Sequence, residues 1–137
     1  MIIRHDKGYL DIGGKPLVMG ILNVTPDSFY DGGKYFGIDD ALKRARKMID
    51  DGADIIDVGG ESTRPNSNYV SVEEEIRRVI PLIKEISKET QVPISIDTYK
   101  AEVADKAIKA GAQIINDISG LQADKEMAKI AAAHNTP

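Results

Sequence analysis

Short apolar runs that alternate with helical patterns constrain this chain of 137 residues more than any other feature. The runs have the length of buried strands, and apolar residues spaced three and four apart predict a helix after each of them. The predicted strands are Leu17–Asn23, Asp54–Val58, Ile94–Asp97 and Ile114–Asp117. The predicted helices begin near Asp39 or Asp40, at Ser71, near Lys100 and at Asp124. This alternation predicts parallel βα units, and therefore an α/β fold of the (β/α) TIM-barrel type.

Two further patterns support this organisation. Residues 2–4 and 9–11 predict a short β-hairpin ahead of the first βα unit. Residues 52–57 (Gly-Ala-Asp-Ile-Ile-Asp) mirror residues 111–116 (Gly-Ala-Gln-Ile-Ile-Asn), which indicates a repeated unit. In both copies the glycine can take the left-handed conformation that ends a helix, and the Ile-Ile pair then enters a strand covered on both faces.

Every predicted strand ends in a carboxylate or a carboxamide. These strand-end residues are Asn23, Asp57, Asp97, and Asn116 with Asp117. The carboxyl ends of the strands in a parallel βα barrel all face one rim, where the catalytic groups of such barrels lie. Polar side chains at these positions cost burial free energy unless they find partners. The pattern therefore predicts a functional site at this rim.

Composition narrows the class of protein. A net charge of −4 and the lack of a lysine-arginine stripe argue against a nucleic-acid partner. No apolar segment approaches the ~20 residues needed to cross a bilayer, and the amino terminus does not resemble a signal peptide. The absence of cysteine excludes disulfides and a thiol nucleophile, and fits a reducing compartment. We expect a cytoplasmic protein that acts on small molecules and binds neither nucleic acid nor membrane.

Two loops after predicted strands carry groups suited to chemistry. Residues 23–33 read Asn-Val-Thr-Pro-Asp-Ser-Phe-Tyr-Asp-Gly-Gly, and oxygen ligands of this kind can hold Mg²⁺ with its phosphate oxygens. Residues 59–65 read Gly-Gly-Glu-Ser-Thr-Arg-Pro, in which the glycines permit close approach to a ligand and Arg64 suits a pyrophosphate. Taken alone, the alternative for each segment is an ordinary polar surface loop, which is the commoner case.

Asp97 and Asn116 are candidates for recognising a heterocycle. Asp97 could accept hydrogen bonds from a ring N–H and an exocyclic amine, the arrangement on an amino-pyrimidine edge. The alternative for Asp97 is a helix cap or an Asx turn. Asn116 can donate and accept, so it can read a mixed ring edge; its alternative is a buried amide satisfied by neighbouring backbone.

The loops at residues 23–33 and 59–65 together resemble the two signatures of dihydropteroate synthases, the folate-pathway transferases that join a pterin to p-aminobenzoate. The family often has glycine after the proline of the second signature, where this chain has Asn66. The resemblance implies that Asn23 ligates the Mg²⁺ bound to the substrate's pyrophosphate. It also implies that Thr63 and Arg64 hold that pyrophosphate or order the second loop.

The resemblance assigns the remaining site residues as well. It implies that Asp97 and Asn116 anchor the pterin ring, and that Asp31 stabilises a cationic pterin intermediate. Phe29 and Pro65 would help to enclose p-aminobenzoate. The resemblance also implies a target of sulfonamides. With Arg64, Asp31 would be a catalytic residue. The implied reaction displaces pyrophosphate from 6-hydroxymethyl-7,8-dihydropterin pyrophosphate by the arylamine, which needs no protein nucleophile.

Four βα units make half of an eight-unit barrel of ~250 residues. We therefore expect residues 1–137 to be the amino-terminal part of one barrel domain. Family members also use an aspartate, a lysine and an arginine-histidine pair from the second half, so this chain alone is expected to be inactive. The parent is expected to be a homodimer, and the isolated chain to self-associate through its open sheet edges. The alternatives are a complete open-sheet protein, a methyltetrahydrofolate methyltransferase-like barrel, or a non-catalytic half-barrel binding or assembly module.

Overall fold

A computed structural model describes residues 2–5, 8–24, 36–62 and 69–137 of the chain. It confirms the predicted hairpin and the predicted alternation of strands and helices. The hairpin consists of β1 (Ile2–His5) and β2 (Gly8–Asp11), which pair antiparallel. The βα units that follow are β3 (Met19–Asn23) with α1 (Phe36–Asp50), β4 (Ile55–Gly59) with α2 (Val72–Glu89), β5 (Ile94–Asp97) with α3 (Ala101–Ala110), and β6 (Ile114–Asn116) with α4 (Met127–Ala133).

The strands β3 to β6 form one parallel sheet in the order β3-β4-β5-β6, so each strand pairs with its neighbour in the chain. One face of this sheet packs against the helices. Its strand side chains are fully buried among apolar residues of α1, α2 and α3. The strand residues of this face are Leu22, Ile56, Val58, Ile94 and Ile96. This packing confirms the predicted α/β class.

The opposite face of the sheet carries the polar strand residues, because side chains alternate between the faces along a strand. At its carboxyl edge the register aligns Asn23, Gly59, Asp97 and Asn116, which we call the rim row. Two residues earlier on each strand the register aligns Ile21, Asp57, Ser95 and Ile114, which we call the inner row. The fold thus brings Asn23, Asp97 and Asn116 to one edge of one face. Asp57 and Asp117 are not strand ends as predicted, because β4 continues to Gly59 and β6 ends at Asn116.

Residues predicted to end or to cap helices do so in the structure. Gly52 and Gly111 follow α1 and α3 with φ of 101° and 122°, as the repeat predicted. Ser71 caps α2, and its hydroxyl accepts a hydrogen bond from the backbone N–H of Glu74 at 3.2 Å. Within the described ranges, no helix is long and apolar enough to cross a membrane.

Two helices begin at residues other than those predicted. Helix α1 begins at Phe36, three residues before Asp39, which places the Asp39 carboxylate in the first turn, where the helix dipole favours it. Helix α4 begins at Met127 rather than at Asp124. The Asp124 carboxylate accepts hydrogen bonds from the backbone N–H groups of Ala101 and Glu126, so it fixes a turn instead of starting the helix.

Candidate active site

The rim row brings three of the predicted site residues together. Asn23, Asp97 and Asn116 occupy three of the four positions of this row, and Gly59 lies between Asn23 and Asp97. A Cβ atom on Gly59 would lie 3.2 Å from the Asn23 Oδ1 and 3.4 Å from the Asp97 Oδ2. The missing side chain at position 59 therefore leaves an opening between an amide oxygen and a carboxylate oxygen, both at the carboxyl edge of the sheet.

The other predicted site residues lie outside the described part of the chain. These are Phe29, Asp31, Thr63, Arg64 and Pro65. Their roles stay predictions. The described residues next to the strands show where the two loops join the sheet: the first begins at Val24 after β3, and the second begins at Gly60 after β4. Both loops leave the sheet at its carboxyl edge, beside the rim row.

Asp57 of the inner row fixes the orientation of the Asn116 side chain. Its carboxylate is buried and accepts a hydrogen bond from the Ser95 hydroxyl at 2.6 Å and another from the Asn116 Nδ2 at 3.1 Å. Burial raises the pKa of Asp57, and the two hydrogen bonds offset only part of that effect. Because the Asn116 amide points its NH₂ group at Asp57, its oxygen faces away as an acceptor. The sequence had marked Asp57 as a strand-end residue without giving it a role.

Asp97 is a half-buried carboxyl group with an unusual pKa. Burial is the main cause of its rise from 3.8 to about 6, and the nearby charges of Asp57, Glu75 and Asp117 add to it. Asp97 can therefore change its protonation state near neutral pH. A ligand that donates hydrogen bonds to Asp97 would favour the ionised form, because such bonds stabilise the carboxylate.

The rim row could hold a hard divalent cation only together with a bound ligand that supplies further oxygen atoms. Among the described residues, no cluster of three or more His, Cys, Asp or Glu side chains is arranged to hold a metal ion. Asn23 does offer an exposed amide oxygen across Gly59 from a carboxylate oxygen of Asp97. Mg²⁺ takes oxygen ligands and is commonly held by one or two protein groups, several waters and substrate phosphates. The donor set at Asn23 fits an ion of this kind that arrives with a phosphorylated ligand.

A buried cluster next to the site was not predicted from the sequence. The Lys100 ammonium group forms an ion pair with the carboxylate of Glu61 and another with that of Glu75. Glu75 is almost fully buried in α2, and its charge contributes to the raised pKa of Asp97. The one sequence signal for the cluster is the placement of a charged residue in the apolar stripe of α2, at a position that faces the sheet.

These features define an α/β segment of the barrel type with polar side chains along one rim. Residues 19–137 match the family described as "Pterin binding enzyme", and the chain belongs to that family.

The individual relatives are dihydropteroate synthases, as the two loop signatures indicated. The dihydropteroate synthase of Bacillus subtilis is 67% identical over 136 residues, which are 99% of this chain and 48% of the relative. The crystal structure of the enzyme from Clostridium difficile in the presence of pteroic acid has 54% identity and a TM-score of 0.90, over 93% of this chain and 48% of that one. The structure of the Xanthomonas albilineans enzyme with 4-aminobenzoic acid has 44% identity and a TM-score of 0.87, over 94% and 47%. The chain thus spans about half the length of these relatives.

Proposed function

We propose that this chain is the amino-terminal part of a single (β/α)₈ barrel of a dihydropteroate synthase. The observation that carries the proposal is the rim row, in which Asn23, Asp97 and Asn116 meet at the carboxyl edge of the sheet. Relatives crystallised with pteroic acid and with 4-aminobenzoic acid support a small-molecule site of this chemistry. They also favour a synthase over the methyltransferase alternative.

The pterin ring would bind against Asp97 and Asn116. The ionised Asp97 accepts hydrogen bonds from a ring N–H and the exocyclic amine of the amino-pyrimidine edge. Asn116, held by Asp57, presents its amide oxygen to a further donor on the ring. Two acceptors side by side discriminate against rings that lack the donors, because a buried acceptor left without a partner costs about 1–3 kcal/mol.

The pyrophosphate of the substrate would lie near the start of the two loops. We assign Asn23 as the protein ligand of Mg²⁺, and Thr63 and Arg64 as further partners of the pyrophosphate. When bound, Mg²⁺ would supply positive charge that stabilises the leaving pyrophosphate. Arg64 adds two parallel N–H donors to the same group, a geometry that matches phosphate oxygens.

The reaction breaks one bond and forms another at the same carbon. The C–O bond between the pterin's exocyclic methylene and pyrophosphate breaks, and the arylamine nitrogen of p-aminobenzoate bonds to that carbon and then loses a proton. Asp31 would stabilise the positive charge that develops on the pterin as the C–O bond lengthens. Phe29 and Pro65 would hold the aryl ring in line with this carbon, so the protein contributes positioning and charge stabilisation.

We further propose that the chain acts in the cytoplasm, as part of a homodimeric enzyme. Half of a barrel rim supplies half of the substrate contacts, so the 137-residue chain alone should not turn over. A non-catalytic binding or assembly module is the outcome that the experiment below must exclude.

A chimera tests the proposed function. This chain would replace the matching segment of the Bacillus subtilis relative, with which it shares 67% identity. We expect the chimera to release pyrophosphate only when pterin pyrophosphate, p-aminobenzoate and Mg²⁺ are all present, and the isolated chain to release none above a protein-free control. Asp97→Ala and Asn116→Ala should abolish the release, whereas Asp39→Ala, in the first turn of α1, should not. A folded but inactive chimera would refute the proposal.

A further inference from the structure

Lys100 is a buried cation at the junction between β5 and α3. The residue is 6% exposed, and its ammonium group donates to three oxygen atoms. These belong to the carboxylates of Glu61 and Glu75, the latter at 2.6 Å, and to the backbone carbonyl of Val70 at 2.7 Å. An ammonium group has three donors, so this set satisfies it completely. We call Lys100 and these three acceptors the Lys100 clamp.

The acceptors of the clamp come from both ends of the second loop. Glu61 lies two residues after the end of β4, and Val70 lies just before α2. The Tyr99 hydroxyl also donates to both Glu61 carboxylate oxygens, at 3.0 and 3.1 Å. The Lys100 ammonium lies 4.9 Å from the ring centres of Tyr69 and Tyr99, within range of a cation–π interaction. One charged group therefore joins the two ends of residues 61–70.

The clamp is not an efficient way to stabilise the core. Burying one ammonium and two carboxylates carries a large desolvation cost, and apolar replacements of buried ion pairs are often neutral or stabilising. Burial by itself lowers the pKa of Lys100, but hydrogen bonds to Glu61 and Glu75 outweigh it and raise the pKa above its ordinary value. Lys100 therefore stays charged, and the benefit of the cluster must lie in the geometry that it imposes.

We propose that Lys100 is a positioning residue, which fixes the separation of Glu61 and Val70, two described residues near the ends of the connection between β4 and α2, and thereby supports binding of the substrate's pyrophosphate. The inference rests on the proposed function for the identity of the ligand and on the clamp geometry for the mechanism. It predicts that the clamp affects binding of the pyrophosphate group and not binding of the pterin ring, which contacts the rim row.

Glu61→Gln is the variant that isolates this role, because it keeps the buried Lys100–Glu75 pair and changes only the contacts that Glu61 makes with Lys100 and Tyr99. Glu102→Gln is the matched control, since Glu102 pairs with Lys106 on the exposed side of α3. In the chimera we expect Glu61→Gln to weaken binding of pterin pyrophosphate with Mg²⁺ at least tenfold. Binding of 6-hydroxymethyl-7,8-dihydropterin, which has no pyrophosphate, should change less than twofold, and Glu102→Gln should change neither.

A second measurement keeps the inference separate from the proposed function. Hydrogen exchange of peptides within residues 59–71 of the isolated chain should be at least tenfold faster in Glu61→Gln than in the wild type or in Glu102→Gln. Two results together would refute the proposed function but not the role of the clamp. Exchange would be faster in Glu61→Gln, and the wild-type chimera would bind the pyrophosphate ester no more tightly than the free pterin. Unchanged exchange in Glu61→Gln, or equal loss of affinity for both pterins, would overturn the positioning role.

Substitution of Lys100 itself gives an independent check. Lys100→Met leaves two buried carboxylates without a cation, and is expected to destabilise the chain severely. The triple variant Lys100→Met, Glu61→Gln, Glu75→Gln removes all three charges together and should fold. At pH 8, where Asp97 is ionised with or without the charge of Glu75, it should bind the free pterin as the wild type does and show the same tenfold loss for the pyrophosphate ester. A triple variant with wild-type affinity for the ester would overturn the inference.

Discussion

At the scale of the single residue, Asp97 shows a conflict between stability and binding. Its pKa is raised from 3.8 to about 6, mainly by burial, so the folded chain holds the proton more tightly than the unfolded chain does. Its contribution to stability is therefore fully present below pH 4 and is lost as the pH rises through about 6. Above that range the folded state carries a buried charge that disfavours it.

We predict that Asp97→Asn raises the free energy of unfolding at pH 7.5 by about 2 kcal/mol, because it removes this charge and keeps the shape of the side chain. Urea unfolding at pH 7.5 and pH 4.5 measures the effect, which should be small at the lower pH. The same variant should lose pterin binding. Asp124→Asn is the control of opposite sign, since backbone N–H groups of Ala101 and Glu126 lower the pKa of Asp124. Destabilisation by both variants would contradict the prediction.

Asp57 permits a second prediction at this scale, because one carboxylate accepts from both Ser95 and Asn116. Asp57→Asn replaces one acceptor oxygen with a donor, so either the Asn116 amide turns over or one contact is lost. We expect pterin affinity in the chimera to fall about tenfold, which corresponds to about 1.4 kcal/mol, a typical value for one hydrogen bond. Ser95→Ala keeps the contact between Asp57 and Asn116, and its effect on affinity should be several times smaller. Equal effects would contradict an orienting role.

At the scale of the element, the contact between β4 and α2 depends on Gly60. A Cβ atom on Gly60 would lie 2.8 Å from the Val79 Cγ1 and 2.9 Å from the Glu75 Cγ, closer than such atoms approach. Both neighbours are buried, and Glu75 is held by Lys100. The glycine therefore serves close packing of strand on helix, whereas the sequence suggested that both glycines of the loop serve approach to a ligand.

We predict that Gly60→Ala destabilises the chain by about 1–3 kcal/mol, the usual cost of overpacking a core. Gly14→Ala is the control, because no atom lies within 4 Å of a Cβ at that position. Urea unfolding monitored by circular dichroism compares the two variants. Equal stability of Gly60→Ala and the wild type would mean that α2 moves away from β4 without cost.

The elements could be predicted from the sequence because their signals are local. Apolar spacing predicted the strands and helices, and the meeting of parallel strand ends predicted that Asn23, Asp97 and Asn116 share an edge. The polar partners could not be predicted in this way. The contact between Asp57 and Asn116 joins residues 59 positions apart, and the clamp joins Lys100 to Glu61 across 39. The first pairing depends on the order and register of the strands, and the second on how the helices pack on the sheet; no local pattern encodes either.

At the scale of the whole molecule, the sheet formed by the described residues has edge strands at β3 and β6. The β6 edge is partly covered, since the Ile115 N–H donates to the Pro137 carbonyl at 2.9 Å. Exposed apolar side chains flank β3, where Ile21 of the inner row is 60% exposed and Val18 is 58% exposed. A parallel edge strand with exposed apolar side chains favours pairing with another chain. The β3 edge is therefore where we expect the 137-residue chain to self-associate.

We predict that the isolated chain forms dimers or larger species through β3, and that Ile21→Lys weakens this association at least tenfold. A lysine on an edge strand opposes pairing, and its charge is compatible with the neighbouring Asp57 in the register. Ile2→Lys is the matched control, because Ile2 is similarly exposed, at 57%, but lies on the hairpin. Sedimentation velocity over a range of concentrations distinguishes the variants. A wild-type chain that sediments as a monomer throughout, or an equal effect of both lysines, would show that the β3 edge is not the contact.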